Sequence, residues 1–271
     1  MDLRWWCIIL DKNSKIGVFD SGLGGLSVLH TLQTILPQES YVYFGDSMNA
    51  PYGVKTREDV FELSKAICDA LIEKNVKAIV IACNTATSAA VERLRALYDI
   101  PIVGMEPAIK PALKHATGQI AVLATEMTLK EEKFLKLVES LEDGYRIEKI
   151  PAPEWVDCVE NHMFDQDYVN VSVKTFLDKY VPKSNAIVLG CTHFVFLRNA
   201  ISAYYHGKIE IFDGNMGTAL QLKNTLASRG LIYDGEAPPT LEIINTKSED
   251  YVEKSYELLS ILRKEKEWTQ S

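Results

Sequence analysis

The chain has 271 residues, of which 47% are hydrophobic and 24% are charged, the composition of a globular rather than a disordered protein. Its formal net charge of −8 argues against a nucleic-acid groove, which needs clustered Lys and Arg. No apolar run approaches the ~20 residues that cross a bilayer, so we expect no membrane partner. The five cysteines are scattered and form no CxxC pair, which excludes a disulfide scaffold and a zinc ribbon. We therefore expect a cytoplasmic protein with no metal site.

In chain order, short apolar runs alternate with amphipathic segments after residues 1–15, to which we assign no function. The runs predict strands over residues 16–19, 41–45, 78–82, 102–103, 120–124, 146–150, 186–190 and 210–212. The amphipathic segments predict helices, among them residues 56–74, 88–98, 129–141, 167–179 and a charged helix within 248–271. This alternation is typical of an α/β fold with mostly parallel sheets flanked by helices. In such folds the functional residues follow the carboxyl ends of the strands.

Two segments at such strand ends recur later in the chain. Residues 78–85 (AIVIACNT) resemble residues 186–193 (AIVLGCTH), which places Cys83 and Cys191 at matched positions 108 residues apart. Residues 16–21 (IGVFDS) resemble residues 120–125 (IAVLAT) at an offset of 104. The two similar offsets predict two α/β halves of similar design, and if these halves face each other across a cleft, the two thiols face each other as well. We place the first domain at residues 14–104 and 216–271 and the second at residues 105–215.

Cys83 and Cys191 are the main catalytic candidates. Each precedes a polar segment that opens a predicted helix, and a helix N-terminus lowers the pKa of a thiol. Two opposed thiols can move protons on both faces of one carbon, one as base and one as acid, which is the chemistry of a cofactor-independent racemase. A reversible disulfide in a redox protein is the alternative.

The Gly-rich turn after the first predicted strand contains Asp20 and Ser21. It can be a tight turn that Ser21 caps, or its N–H groups and Ser21 can hold a carboxylate while Asp20 binds an ammonium group or orients a thiol. The loop with Tyr52 and Gly53 is a simple turn or the rim of a site for a small acid.

Two further residues are candidates for acid–base chemistry. His193 lies two residues beyond Cys191, and with no second ligand pair we interpret it as the acid–base or ammonium-orienting partner of that thiol rather than a metal ligand. Glu160 lies in a helical pattern in the second half, where a solvated surface charge is the alternative.

At these residues the chain resembles the glutamate racemases of the aspartate/glutamate racemase superfamily. The matching motifs are IGVFDSGLGGLSV (16–28), YFGD (43–46), PYG (51–53), ACNTAT (82–87), EPA (106–108) and GCTH (190–193). The resemblance implies two pseudo-symmetric α/β domains with the active site in the cleft between them, no cofactor, and Cys83 and Cys191 as acid–base residues for the D- and L-enantiomer, respectively. It also implies that Asp20, Glu160 and His193 assist the thiols.

The resemblance further implies L- and D-glutamate as substrates, D-glutamate supply for peptidoglycan, and a homodimer. The predicted substrate-binding residues are Asp20, Ser21, Pro51, Tyr52, Gly53, Asn84, Thr85, Thr87, Thr125, Thr192 and His193. The residues before Glu160 depart from the family pattern, so Glu154 is a rival for the role of Glu160. A second departure begins at Phe194, directly after GCTH. The alternatives are a racemase of aspartate or another small acidic amino acid, a dithiol redox protein, and a small-acid binding module without turnover.

Overall fold

The structure is a computed structural model that describes residues 10–115, 118–139, 145–181 and 183–264. The strands are β1 Ile16–Asp20, β2 Tyr41–Gly45, β3 Ala78–Ile81, β4 Ile102–Gly104, β5 Gly118–Ala124, β6 Tyr145–Pro151, β7 Ala186–Gly190, β8 Glu210–Asp213 and β9 Leu241–Asn245. The helices are α1 Leu26–Ile35, α2 Arg57–Glu73, α3 Asn84–Leu97, α4 Ile109–His115, α5 Glu126–Leu129, α6 Glu132–Glu139, α7 Pro153–His162, α8 Gln166–Tyr180, α9 Arg198–Tyr204, α10 Asn215–Ser228 and α11 Glu249–Lys264. Short 3-10 turns span Tyr52–Val54 and Thr192–Leu197. Most of residues 1–15 and the end of the helix predicted within 248–271 lie outside the described residues.

The strands form two parallel sheets, in the orders β4-β3-β1-β2-β9 and β6-β5-β7-β8. Taken from the opposite edge, the second order is β8-β7-β5-β6, which matches the first four strands of the first sheet. The register matches as well, because Ile16 pairs with Ala78 in one sheet and Ile120 pairs with Ala186 in the other. These are the residues that open the repeated segments, so the predicted repeat and the α/β class are confirmed.

The chain returns to the first sheet after the second is complete. Strand β9 pairs with β2 at the sheet edge, and α10 and α11 pack on α1. We did not predict β9, because Leu241–Asn245 is partly exposed at every position except Ile243 and lacks the continuous apolar run of a central strand. Our division of the chain into two domains stays a prediction.

Two predicted helices begin or end differently in the structure. The helix predicted over residues 129–141 begins later than predicted, since α5 ends at Leu129 and α6 begins at Glu132. Each helix has its own N-terminal cap: Thr125 accepts from the Thr128 N–H, and Glu131 accepts from the Phe134 N–H. Helix α3 begins at Asn84 instead of residue 88, because the side chain of Cys83 caps it.

A continuous apolar core joins the two sheets. It includes Leu23 and Leu26 from the β1–α1 segment together with Trp155 and Phe194 from the second half. Trp155 is fully buried and meets the ring of Phe194 edge-on, with 5.4 Å between the ring centroids. This contact fixes α7 against the 3-10 turn that follows β7, the two elements that contain Glu160 and His193. Within the described ranges, no helix is long and apolar enough to cross a membrane.

Candidate active site

Cys83 lies at the carboxyl end of β3 and caps α3. Its sulfur accepts from the Ala86 N–H at 3.4 Å, and its thiol lies 3.5 Å from the Ser21 hydroxyl oxygen. Burial raises the pKa of Cys83 to about 12, with a further rise from the Asp20 charge, and the bonds from Ser21 and Ala86 only partly oppose this. The prediction that the helix N-terminus lowers this pKa below its usual value is therefore wrong, because desolvation outweighs the two hydrogen bonds.

Cys191 occupies the equivalent place after β7 but has different neighbours. It precedes the 3-10 turn Thr192–Leu197 without capping it, and its sulfur lies 3.7 Å from His193 Nδ1. The other ring nitrogen, Nε2, is 2.8 Å from Glu160 Oε1, which also accepts from the Leu23 N–H at 2.6 Å. The result is a buried relay from the sulfur through the imidazole to a carboxylate that the first half holds in place.

The charges in this relay support one another. Burial lowers the pKa of His193, but hydrogen bonds and charges from Cys191 and Glu160 raise it well above its usual value. Burial raises the pKa of Glu160, yet His193, the Leu23 amide and Lys254 together hold it below its ordinary value. At neutral pH the pair is therefore an imidazolium beside a carboxylate, and the imidazolium lies next to the Cys191 sulfur.

Asp20 links the surroundings of the two thiols. Its fully buried carboxylate accepts from the Gly22 N–H and from the Thr192 hydroxyl, each at 3.0 Å. Burial raises the pKa of Asp20, whereas His193 and both hydrogen bonds lower it. A charge on Cys191 also raises the pKa of Cys83, so the two sulfurs lie within electrostatic reach of each other.

The Gly-rich turn lies against the second half. A Cβ atom at Gly22 would lie 2.1 Å from Glu160 Oε1, and one at Gly24 would lie 2.5 Å from the Thr192 hydroxyl oxygen. Ser21 does not cap α1, which begins at Leu26 after Gly25. The turn does hold carboxylates, as we predicted for a ligand, but they belong to Asp20 and Glu160 of the protein itself.

Other predicted substrate-binding residues meet across the cleft. The hydroxyls of Thr85 and Thr125 are 2.9 Å apart, and a Cβ atom at Gly53 would touch the Thr125 side chain at 2.9 Å. Pro51, Gly53 and Thr125 line a cavity of about 560 Å³ at this edge. Tyr52 is buried and donates to the Asp46 carboxylate at 2.6 Å, so its hydroxyl fixes the loop.

Asn84 and Thr87 follow Cys83 on α3 but have different contacts. The Asn84 amide nitrogen lies 3.3 Å from the Met105 sulfur, and its buried Oδ1 has no hydrogen-bond partner among the described residues. This oxygen is an open acceptor. Thr87 bonds to the Ile81 carbonyl and the Met105 N–H, which braces β3 against β4 and does not support its predicted role in substrate binding.

The structure separates the two rival glutamates and adds residues that we did not predict. Glu160 is buried against His193, whereas Glu154 is exposed near the start of α7. Tyr43 donates to the Gly22 carbonyl at 2.6 Å, and Lys254 from α11 contacts the Glu160 backbone carbonyl. The YFGD motif contains Tyr43 and could have indicated it, whereas no local pattern connects Lys254 with a helix about ninety residues earlier.

The fold and the site define a class of two-domain α/β proteins with paired, buried thiols at equivalent strand ends, one of them joined to a His–Glu relay. The model of the Asp/Glu/Hydantoin racemase family matches residues 16–221. The chain belongs to this family.

Individual relatives cover most of the chain. A glutamate racemase of Bifidobacterium animalis subsp. lactis is 46% identical over 232 residues, which are 84% of this chain and 90% of that protein. The structure of a glutamate racemase isoform from Bacillus anthracis has a TM-score of 0.81 at 30% identity and covers 92% of this chain and 95% of its own. Escherichia coli glutamate racemase, solved with L-glutamate and the activator UDP-MurNAc-Ala, has a TM-score of 0.81 at 28% identity, with coverage of 92% and 95%.

Proposed function

We propose that the protein is a glutamate racemase that interconverts L- and D-glutamate without a cofactor and supplies D-glutamate for peptidoglycan. The observation that carries this proposal is the placement of Cys83 and Cys191 at equivalent ends of β3 and β7 in two matching sheets. The names of the relatives support glutamate as the substrate, and the E. coli relative was solved with L-glutamate.

The two thiols exchange a proton with the α-carbon. For L-glutamate, the Cys191 thiolate removes the α-proton and becomes a thiol, and the Cys83 thiol then donates its proton to the opposite face and becomes a thiolate. For D-glutamate the roles are reversed. One C–H bond breaks and one forms, and the exchanged protonation states of the two cysteines balance the reaction.

The surroundings of the thiols support this chemistry. The His193 imidazolium stabilises a thiolate at Cys191, and the Ala86 N–H stabilises one at Cys83. The open Asn84 Oδ1 and the Asp20 carboxylate suit the substrate ammonium group, whose charge would in turn lower the pKa of Cys83.

Hydroxyl groups suit the two carboxylates of glutamate and the negative charge that develops when the α-proton leaves. We assign this role to Ser21, Thr85, Thr125 and Thr192, with the loop of Pro51, Tyr52 and Gly53 as the rim. The contact between Thr85 and Thr125 would open to admit the substrate, because both hydroxyls are then needed as donors.

The test is racemisation of each enantiomer by Cys83→Ala and Cys191→Ala, followed by circular dichroism, together with α-proton exchange in deuterated water. Both variants should lose roughly 10²–10⁴-fold in turnover, as expected when a positioned acid or base is removed. Cys68→Ala, which changes a buried cysteine of α2, is the matched control and should keep its activity. Either active-site variant racemising at near the wild-type rate would contradict the two-thiol mechanism.

Further outcomes separate the alternatives. Loss of two thiols under mild oxidation, with no deuterium entering glutamate, would indicate a dithiol redox protein. Binding of glutamate without exchange would indicate a binding module, and faster turnover of aspartate in a substrate panel would indicate an aspartate racemase. We also propose a homodimer, which sedimentation of the purified chain tests.

A further inference from the structure

The last helix of the chain reaches the relay behind Cys191. Glu160 lies in the final turn of α7, where backbone carbonyls have no partner within the helix. Lys254 of α11 donates a hydrogen bond to the Glu160 carbonyl oxygen, and the Tyr251 hydroxyl lies 3.5 Å from the same atom. The Tyr251 hydroxyl also lies 3.2 Å from Asn161 Oδ1. Two residues of α11 thus hold the backbone of the residue whose side chain binds His193.

Lys254 acts on Glu160 through charge as well as through the backbone. Its side chain is half-buried, and burial lowers the pKa of Lys254 against the opposing effect of Glu160. In return, the Lys254 charge is one of the effects that lower the pKa of Glu160.

The position of α11 indicates which of the two thiols the Lys254 contact can affect. Helix α11 packs on α1 and β9, which belong to the first sheet and its flanking helices, whereas α7 packs on the 3-10 turn that contains His193. Glu160 therefore receives the Leu23 amide and Lys254 from the first half, and it binds His193 of the second half. Among the described residues, no hydrogen bond or ion pair joins α11 to Cys83 or Ser21.

We propose that Lys254 is a positioning residue that acts through Glu160 and His193 on Cys191, so that it supports proton transfer on the L-face of the substrate and not on the D-face. This inference rests on the proposed racemase function. The expected loss of turnover in Lys254→Met is roughly ten- to a hundredfold, the size found when a remote change misplaces a reacting group.

Isotope labelling distinguishes this role from general weakening. Because the enantiomers are equal in energy, kcat/KM must be the same in both directions, so only a labelled proton shows which transfer has slowed. In Lys254→Met, the isotope effect on kcat/KM should rise with α-deuterated L-glutamate, whose label moves to Cys191. It should fall with α-deuterated D-glutamate, whose label moves to Cys83.

Lys254→Arg keeps the charge and should restore most of the turnover and the wild-type pair of isotope effects. Lys254→Gln, which can still donate to the carbonyl, should show the same shift to a smaller degree and serves if the Met variant does not fold. Lys223→Met, an exposed lysine of α10, is the matched control for the lost charge and should leave both isotope effects unchanged. If the wild type racemises glutamate but both isotope effects in Lys254→Met and Lys254→Gln equal those of the wild type, the inference is wrong. If the wild type exchanges no α-proton, the proposed function fails and the inference with it.

Discussion

The two active-site cysteines have matched backbone positions and different chemical neighbours. Cys83 has a hydroxyl and a helix N–H group beside it, whereas Cys191 has an imidazole that a carboxylate keeps charged. A thiolate beside an imidazolium needs less help from the substrate than one that only neutral donors stabilise. We therefore expect the Cys83 thiol to be in its acid form in the resting enzyme, because burial raises its pKa.

This asymmetry predicts the reactivity of Cys83 towards alkylating reagents. Only the thiolate reacts, and burial raises the pKa of Cys83 to about 12. In the absence of glutamate, the rate of Cys83 labelling by iodoacetamide should rise about tenfold per pH unit from pH 7 to beyond pH 10. Peptide mapping by mass spectrometry measures the rate, with Cys83→Ser as the control for peptide assignment. A rate that levels off below pH 9 would show that the thiol is already ionised near neutral pH.

At the level of elements, the turn between β1 and α1 is the structural centre of the site. Its glycines allow backbone to approach the second half more closely than any side chain permits, so its amides can hold Asp20 and Glu160. We recognised the turn from its glycines and expected it to hold a ligand. The Asp20 carboxylate lies two residues from the Gly22 amide that binds it, whereas Glu160 lies 137 residues from the Leu23 amide. Only the folded structure brings Glu160 to the turn.

Substitution of Gly22 tests the close approach. In Gly22→Ala the new methyl group would lie 2.1 Å from Glu160 Oε1, so the carboxylate must move and its contact with His193 must weaken. We expect at least about a hundredfold loss of racemisation, as for other displacements of ~1 Å in an active site. Gly217→Ala in α10 is the control. The new Cβ atom would meet nothing within 4 Å, and the substitution removes a glycine from the interior of a helix. That control should keep its activity and gain about 0.5–1 kcal/mol in free energy of unfolding, measured in urea.

At the scale of the whole molecule, the sequence predicts the strands of the internal repeat. It does not predict the contacts that the returning C-terminal segment makes with the rest of the chain. The central strands β1, β3, β5 and β7 were predictable because each is largely a buried apolar run, and the matched offsets indicated the symmetry. Strand β9 and the contact of Lys254 with Glu160 lie outside the repeat. They depend on how the returning chain packs on the first sheet, so no local pattern could indicate them. Burial likewise decided the pKa of Cys83, which the helix N-terminus alone would have lowered.

The first half also depends on a buried ion pair at the amino ends of its strands, away from the thiols. Lys77 and Glu39 are almost fully buried and form an ion pair with an N–O distance of 2.5 Å. The Lys77 ammonium also donates to the Lys12 carbonyl, and the second Glu39 oxygen accepts from the Tyr233 N–H. One ion pair thus joins the start of the chain, the segments before β2 and β3, and the returning chain before β9.

Removing one member of this pair should destabilise the protein without changing its chemistry. In Lys77→Met the Glu39 carboxylate is left buried and uncompensated, which costs about 3–5 kcal/mol in free energy of unfolding. Lys74→Met is the matched control, since the Lys74–Glu242 pair is about one-third exposed on both sides and should contribute at most about 1 kcal/mol. Urea denaturation measures both changes, and folded Lys77→Met should racemise glutamate at the wild-type rate because the pair lies at the strand ends opposite Cys83. Equal, small shifts for both variants would mean that the introduced methionine side chain packs as well as the ion pair and that other contacts hold the returning chain in place.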